Sequence, residues 1–135
     1  MAKLHYPTNK NMLIAVCADD LTVTGFLLTG MGERDKKGNQ NFLIASKETT
    51  DDELRAVFQG WVENNDIAII MIAQNQAERV RDLIVAHQND EKKLLPTIME
   101  IPSKEQPYDP TIDPVLIKAA SVLYGFDTGM AMLQE

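Results

Sequence analysis

Residues 67–72 read IAIIMI, preceded by Asn65 and Asp66 and followed by Ala73 and Gln74. A strand that is apolar at every position has no side to offer water, so this run predicts a central strand of a parallel sheet, covered by helices on each face. Three other largely apolar runs flank it in sequence. Residues 12–17, MLIAVC, end against Asp19 and Asp20, and residues 42–45, FLIA, follow a long polar stretch. Residues 97–101, TIMEI, are introduced by Pro96, and proline is tolerated at the start of a strand.

Helical patterns fill the gaps between these runs. Residues 21–29 predict a short helix, with Asp19 or Asp20 as its cap and Gly30 with Gly32 as its end. Thr50 and Glu53 form a capping box, and Asp51, Asp52 and Glu53 place negative charge where the helix dipole favours it. In that helix Leu54, Val57, Phe58, Trp61 and Val62 recur at i, i+3, i+4, i+7 and i+8, one buried stripe. Residues 74–87 predict a third helix with Ala77, Val80, Ile84 and His87 on one line. Four alternations of strand and helix predict a small α/β open sheet of four parallel strands with flanking helices and right-handed crossovers.

Punctuation sets the expected organisation. Residues 31–41 are polar and predict a surface loop. Pro102, Pro107 and Pro110 predict an extended loop after the last strand, and Pro114 suits the first turn of a further helix reaching about Tyr124. Gly125 and Gly129 predict a frayed end. The expected division is an α/β core domain over residues 1–101, a proline-rich hinge loop over 102–114, and a C-terminal helix and tail over 115–135.

Composition excludes several functions. With 135 residues, 44% hydrophobic and 24% charged, the chain suits one domain burying roughly two-thirds of its unfolded surface. Its net charge of −7 repels a phosphate backbone or an anionic lipid surface, so no nucleic-acid partner is expected. No apolar run approaches the roughly 20 residues that span a bilayer, so no membrane insertion is expected. The leader, residues 1–10 with His5, Pro7 and Asn9, lacks the apolar region of a secretory signal and points to the cytosol. Cys17 has no second cysteine to pair with, and His5 and His87 stand too far apart for a zinc spacing, so neither metal nor cofactor is expected.

Chemistry, if present, belongs at the carboxyl ends of the strands, where Asp19, Asp20, Gln74, Asn75 and Ser103 fall. Asp19 and Asp20 are the carboxylate pair that a receiver-like phosphotransfer or nucleotide-binding domain would use for Mg²⁺. Such a receiver also needs an acceptor aspartate after its third strand, where this chain has Ala73 and Gln74, so helix capping is the preferred reading. The glycines make neither GxGxxG nor a P-loop. Cys17 reads as a small core hydrophobe, His87 as a helix C-cap, and the pairs Lys36–Lys37 and Lys92–Lys93 as solvated charge. The last helix carries Leu116, Ala119, Ala120 and Leu123 on one side with Val115 and Val122 beside them, a pattern that suits close packing on the sheet or on a partner helix.

Four blocks, TVTGFLLTGMGE at 22–33, NFLIASKETT at 41–50, DIAIIMIAQ at 66–74 and EIPSKEQPYDP at 100–110, resemble the family of F subunits of the eukaryotic vacuolar-type proton ATPase (V-ATPase) in order and spacing. The resemblance implies a Rossmann-like domain without catalytic residues or cofactor. It also implies binding to the coiled-coil D subunit in the central rotor stalk, contact with other stalk subunits and the catalytic ring, and a place on the cytosolic face of endomembranes. By the same resemblance, the surface that meets the D subunit includes Lys104, Tyr108 and Asp109 of the proline-rich block and Leu116, Ala119 and Leu123 of the last helix. The chain departs from the family pattern at Leu21, Ala73 and Gln76, and at Ile117 and Lys118, where the family tends to carry arginines.

Overall fold

The computed structural model describes residues 12–34 and 38–134. The leader with His5 and the Lys36–Lys37 pair lie outside the described residues. Four strands, β1 (Leu13–Ala18), β2 (Phe42–Ile44), β3 (Ile67–Ala73) and β4 (Thr97–Ile101), form one sheet in the order β2-β1-β3-β4 with every pairing parallel. The connections carry α1 (Asp20–Leu28), α2 (Asp51–Glu63), α3 (Gln74–Ala77) and α4 (Arg81–Asn89). The α/β open sheet expected from the alternation is the fold observed.

Local chemistry accounts for the elements. Asp19 caps α1, its carboxylate accepting from the Thr22 amide at 3.2 Å and the Thr22 hydroxyl at 2.6 Å. Thr50 caps α2 through the Glu53 amide at 3.2 Å. The third helix is not continuous: α3 gives way to a 3-10 turn at Glu78–Val80 before α4 begins. That turn keeps Ala77, Val80 and Ile84 in the core while Arg79 reaches Asp51 at 2.6 Å and Arg81 reaches Glu78 at 2.7 Å.

The two faces of the sheet are filled unequally. On one, Ala15, Cys17, Ile70, Ile72 and Ile98 pack with Leu54, Phe58 and Trp61 of α2 and with Ala77, Val80 and Ile84. On the other, among the described residues, α1 alone supplies helical cover, with Val23, Phe26 and Leu27 against Val16, Ala18, Ala73 and Met71. Register places Phe42, Val16, Met71 and Met99 in one row across the four strands. Along it the cover runs out: Val16 is fully buried, Met71 half-buried and Met99 48% exposed. β3 is therefore helix-covered on one side and only partly on the other, and Ile69, Met71 and Ile101 stay half-buried on that side.

After β4 the chain makes a 3-10 turn at Pro110–Ile112, then α5 (Pro114–Tyr124) and α6 (Phe126–Leu133). The expected frayed end is instead a helix. Gly125 makes the break between the two at φ 80°, a region that favours glycine. At Gly129 a side chain's first carbon would lie 2.7 Å from the Ala120 carbonyl carbon and 3.0 Å from its Cβ. The two helices thus cross with backbone nearly touching backbone, and Ala120 finds its partner helix within its own chain.

Candidate functional site

At the carboxyl ends of the strands lies an open crevice of about 610 Å³, at the place where an open α/β sheet normally binds its ligand. Asp19, Asp20, Glu48 and Glu105 share its lining with Lys47 and Lys104, so carboxylates outnumber ammonium groups two to one. Four of its polar groups serve the backbone around them, while Lys47 pairs with Glu105 across the rim at 4.0 Å. Asp19 caps α1, Asp20 accepts from the Leu21 amide at 2.8 Å, Asn75 accepts from the Gln76 amide at 3.0 Å, and Ser103 accepts from the Gln106 amide at 3.1 Å. Among the described residues no group of three or more His, Cys, Asp or Glu stands where it could hold a metal ion.

The bond from Thr22 holds the Asp19 carboxyl below the usual carboxylate range. A group depressed in this way contributes stability above its unfolded value near 3.9, a contribution lost as pH falls through the folded value. Asp19→Ala is therefore expected to lower stability by about 1 kcal/mol at neutral pH. The difference from the parent chain should shrink below about pH 4, and urea unfolding across pH measures it.

Beside the crevice a polar cluster joins α3, β4 and α4 to the proline-rich loop. Gln74, nearly buried, accepts from the Asp109 amide at 2.7 Å and donates to the Asp109 carbonyl at 2.8 Å and to Glu100 Oε2 at 2.9 Å. The Glu100 side chain is 1% exposed and also accepts from the Arg81 guanidinium. Burial lifts the Glu100 carboxyl above its ordinary range against the opposing pull of Arg81 and Gln74. The Tyr108 hydroxyl donates to Asp113, which in turn caps α5 by accepting from the Val115 amide at 2.9 Å. Burial and that bond raise the Tyr108 phenol above its usual value.

The residues expected at a partner surface occupy three settings. Lys104 lies on the crevice rim. Tyr108 and Asp109 stand together at the loop's anchor, with the Asp109 carboxylate accepting from the Thr111 amide at 2.9 Å and from its hydroxyl at 2.6 Å. On α5, Leu116 is half-buried, Ala119 exposed and Leu123 71% exposed. The sequence reading missed Phe126 and Met132 of α6, which extend the exposed apolar surface of Val122, Leu123 and Tyr124. Apolar residues at 126, 130 and 133 are the available signal for that helix. His87 does not cap α4 with its ring. It is buried, and its Nε2 meets the Pro96 carbonyl at 2.7 Å, tying α4 to the start of β4. Cys17 lies wholly in the core, where burial pushes its thiol up to about 12.

The sequence pattern of the family described as ATP synthase (F/14-kDa) subunit matches residues 14–118. Among individual proteins, the F subunit of the V-type proton ATPase of Dictyostelium discoideum is 44% identical over 110 residues, 82% of this chain and 88% of that protein. Its counterpart in Homo sapiens is 43% identical over 118 residues, 87% of this chain and 96% of its own length. The V-type proton ATPase F subunit 1 of Drosophila melanogaster is 42% identical over 110 residues, 82% of this chain and 86% of that protein.

Proposed function

Because the chain belongs to the family of the ATP synthase (F/14-kDa) subunit and is similar to the F subunit of V-type proton ATPases over most of its length, we propose that it is a non-catalytic component of a proton pump's central stalk. It binds the coiled-coil D subunit and takes part in coupling ATP hydrolysis in the soluble sector to proton movement in the membrane sector. Other stalk subunits and the catalytic ring are its further neighbours, and it works on the cytosolic face of an endomembrane. Among the described residues no helix is long and apolar enough to cross a membrane, which suits a protein held there by its partners.

The observation that carries this reading is the family match from residue 14 to residue 118, which takes in nearly all of the sheet and the first turn of α5. A strand-end crevice in which Asp19, Asp20, Asn75 and Ser103 serve caps and turns agrees with a binding role, as does a C-terminal helical pair that leaves its apolar outer surface to water. On this reading Lys104, Tyr108 and Asp109 line the approach to the shaft, while Leu116, Ala119 and Leu123 lie along it. The helical pair, attached through a loop with three prolines, is a two-state element able to modulate hydrolysis.

Mixing the purified chain with the D subunit of the same source tests the proposal by size exclusion and calorimetry. A one-to-one complex is expected, and removal of residues after Asp113 is expected to weaken it. A complex untouched by the truncation assigns the grip to the α/β domain, and no complex overturns the proposal. In the reassembled pump, the same truncation leaving ATPase activity and coupling unchanged overturns the regulatory half.

A further inference from the structure

We propose that the Gln74 side-chain amide is the catch that fixes the C-terminal helical pair to the α/β domain, and that the pair is released as one body when this amide lets go of the Asp109 backbone. This catch supplies the contact behind the two-state reading of the pair given above and rests on it, while its test uses the chain alone, so the catch can fail and the stalk role stand.

Three features lead to it. First, α5 and α6 meet most closely with each other, at Ala120 and Gly129, so the pair moves as a unit. Second, a chain of short links runs from the catch to that unit. Gln74 holds both backbone groups of Asp109, the Asp109 carboxylate closes the next turn on Thr111, and Asp113 caps α5 while receiving the Tyr108 hydroxyl. A shift at Asp109 is thus passed to α5. Third, the catch is anchored firmly on the domain side alone. Glu100 of β4 accepts from Gln74, and Arg81 of α4 holds Glu100. A further polar tie from the pair to the domain, Lys118 Nζ to the Gln88 carbonyl at 2.9 Å, lies at the surface.

A neutral amide suits a catch. On opening, water takes up the Asp109 amide and carbonyl at little net cost, while Gln74 keeps its bond to Glu100. Opening of this kind is local, and it precedes unfolding of the core.

Hydrogen exchange of the full chain tests the proposal without any variant. The amides of Asp109, α5 and α6 are expected to share one opening event, more frequent than that of β1, β3 and α2. Exchange that instead spreads gradually from the C-terminus, or that occurs only with core unfolding, overturns it. Gln74→Glu keeps the size and the acceptor but loses both donated bonds and sets a second carboxylate beside Glu100. It is expected to accelerate exchange in 109–133 by about ten-fold, with the core strands unchanged. Lys118→Ala is expected to change those rates less than two-fold. Unchanged rates in Gln74→Glu, equal acceleration in every element, or an equal effect from Lys118→Ala each overturn the assignment.

Discussion

Phe58→Ala is expected to lower the unfolding free energy by about 3–5 kcal/mol, the cost of a buried aromatic removed together with the cavity it leaves. Phe58 is 1% exposed and sits in the contiguous core formed by α2, Ile70, Ile72 and Ile84. That core lies on the side of the sheet covered by α2, α3 and α4. Because a domain of this kind holds only about 5–15 kcal/mol in all, the loss takes a large share of the total. Denaturant unfolding with an unchanged slope and a much lower midpoint is the expected result. Leu28→Ala, at an 84% exposed position on α1, serves as the control and is expected to stay within about 0.5 kcal/mol. A Phe58→Ala loss under about 1 kcal/mol would show that the core is not packed as described.

The second large effect concerns association. The double variant Leu123→Asp with Phe126→Asp places two charges on the exposed surface of the helical pair, where the parent residues are 71% and 64% exposed. Folding is expected to be undisturbed, with an unchanged circular dichroism spectrum. Binding to the coiled-coil D subunit is expected to weaken by about thirty-fold or more, the loss typical of a contact centre. An affinity within two-fold of the parent chain would move the contact off this surface, leaving the bare half of the sheet as the next place to test.

Much of this architecture is legible in the sequence because local signals agree with the tertiary outcome. The all-apolar run at 67–72 marks the inner strand, and Thr50 with Glu53 marks the start of α2 to the residue. Asp19 is legible as a cap because its only sequence-near competitor is Asp20, and the structure gives the cap to Asp19. Where reading fails, the deciding partner lies far away in the chain. Nothing near His87 announces the Pro96 carbonyl, and nothing near Gln74 announces Asp109, 35 residues on. The missing cover over β4 is illegible for a related reason. Apolar alternation at Ile69, Met71 and Met99 records a preference for burial, but whether a helix of the same chain supplies it depends on where α5 goes. α6 is lost to its two glycines, which read as weakness when taken singly, whereas one makes the turn and the other the crossing.

The row from Phe42 to Met99 also bears on how the molecule meets oxidants. Its one cysteine, buried and with its thiol pushed up to about 12, holds almost no thiolate and no path to a peroxide. Met99, 48% exposed as a residue on the sheet's open half, presents its side chain to solvent without any opening of the fold. Sulfur chemistry in this chain therefore begins at methionine, and each sulfoxide formed there turns a soft apolar contact into a polar one until a reductase restores it.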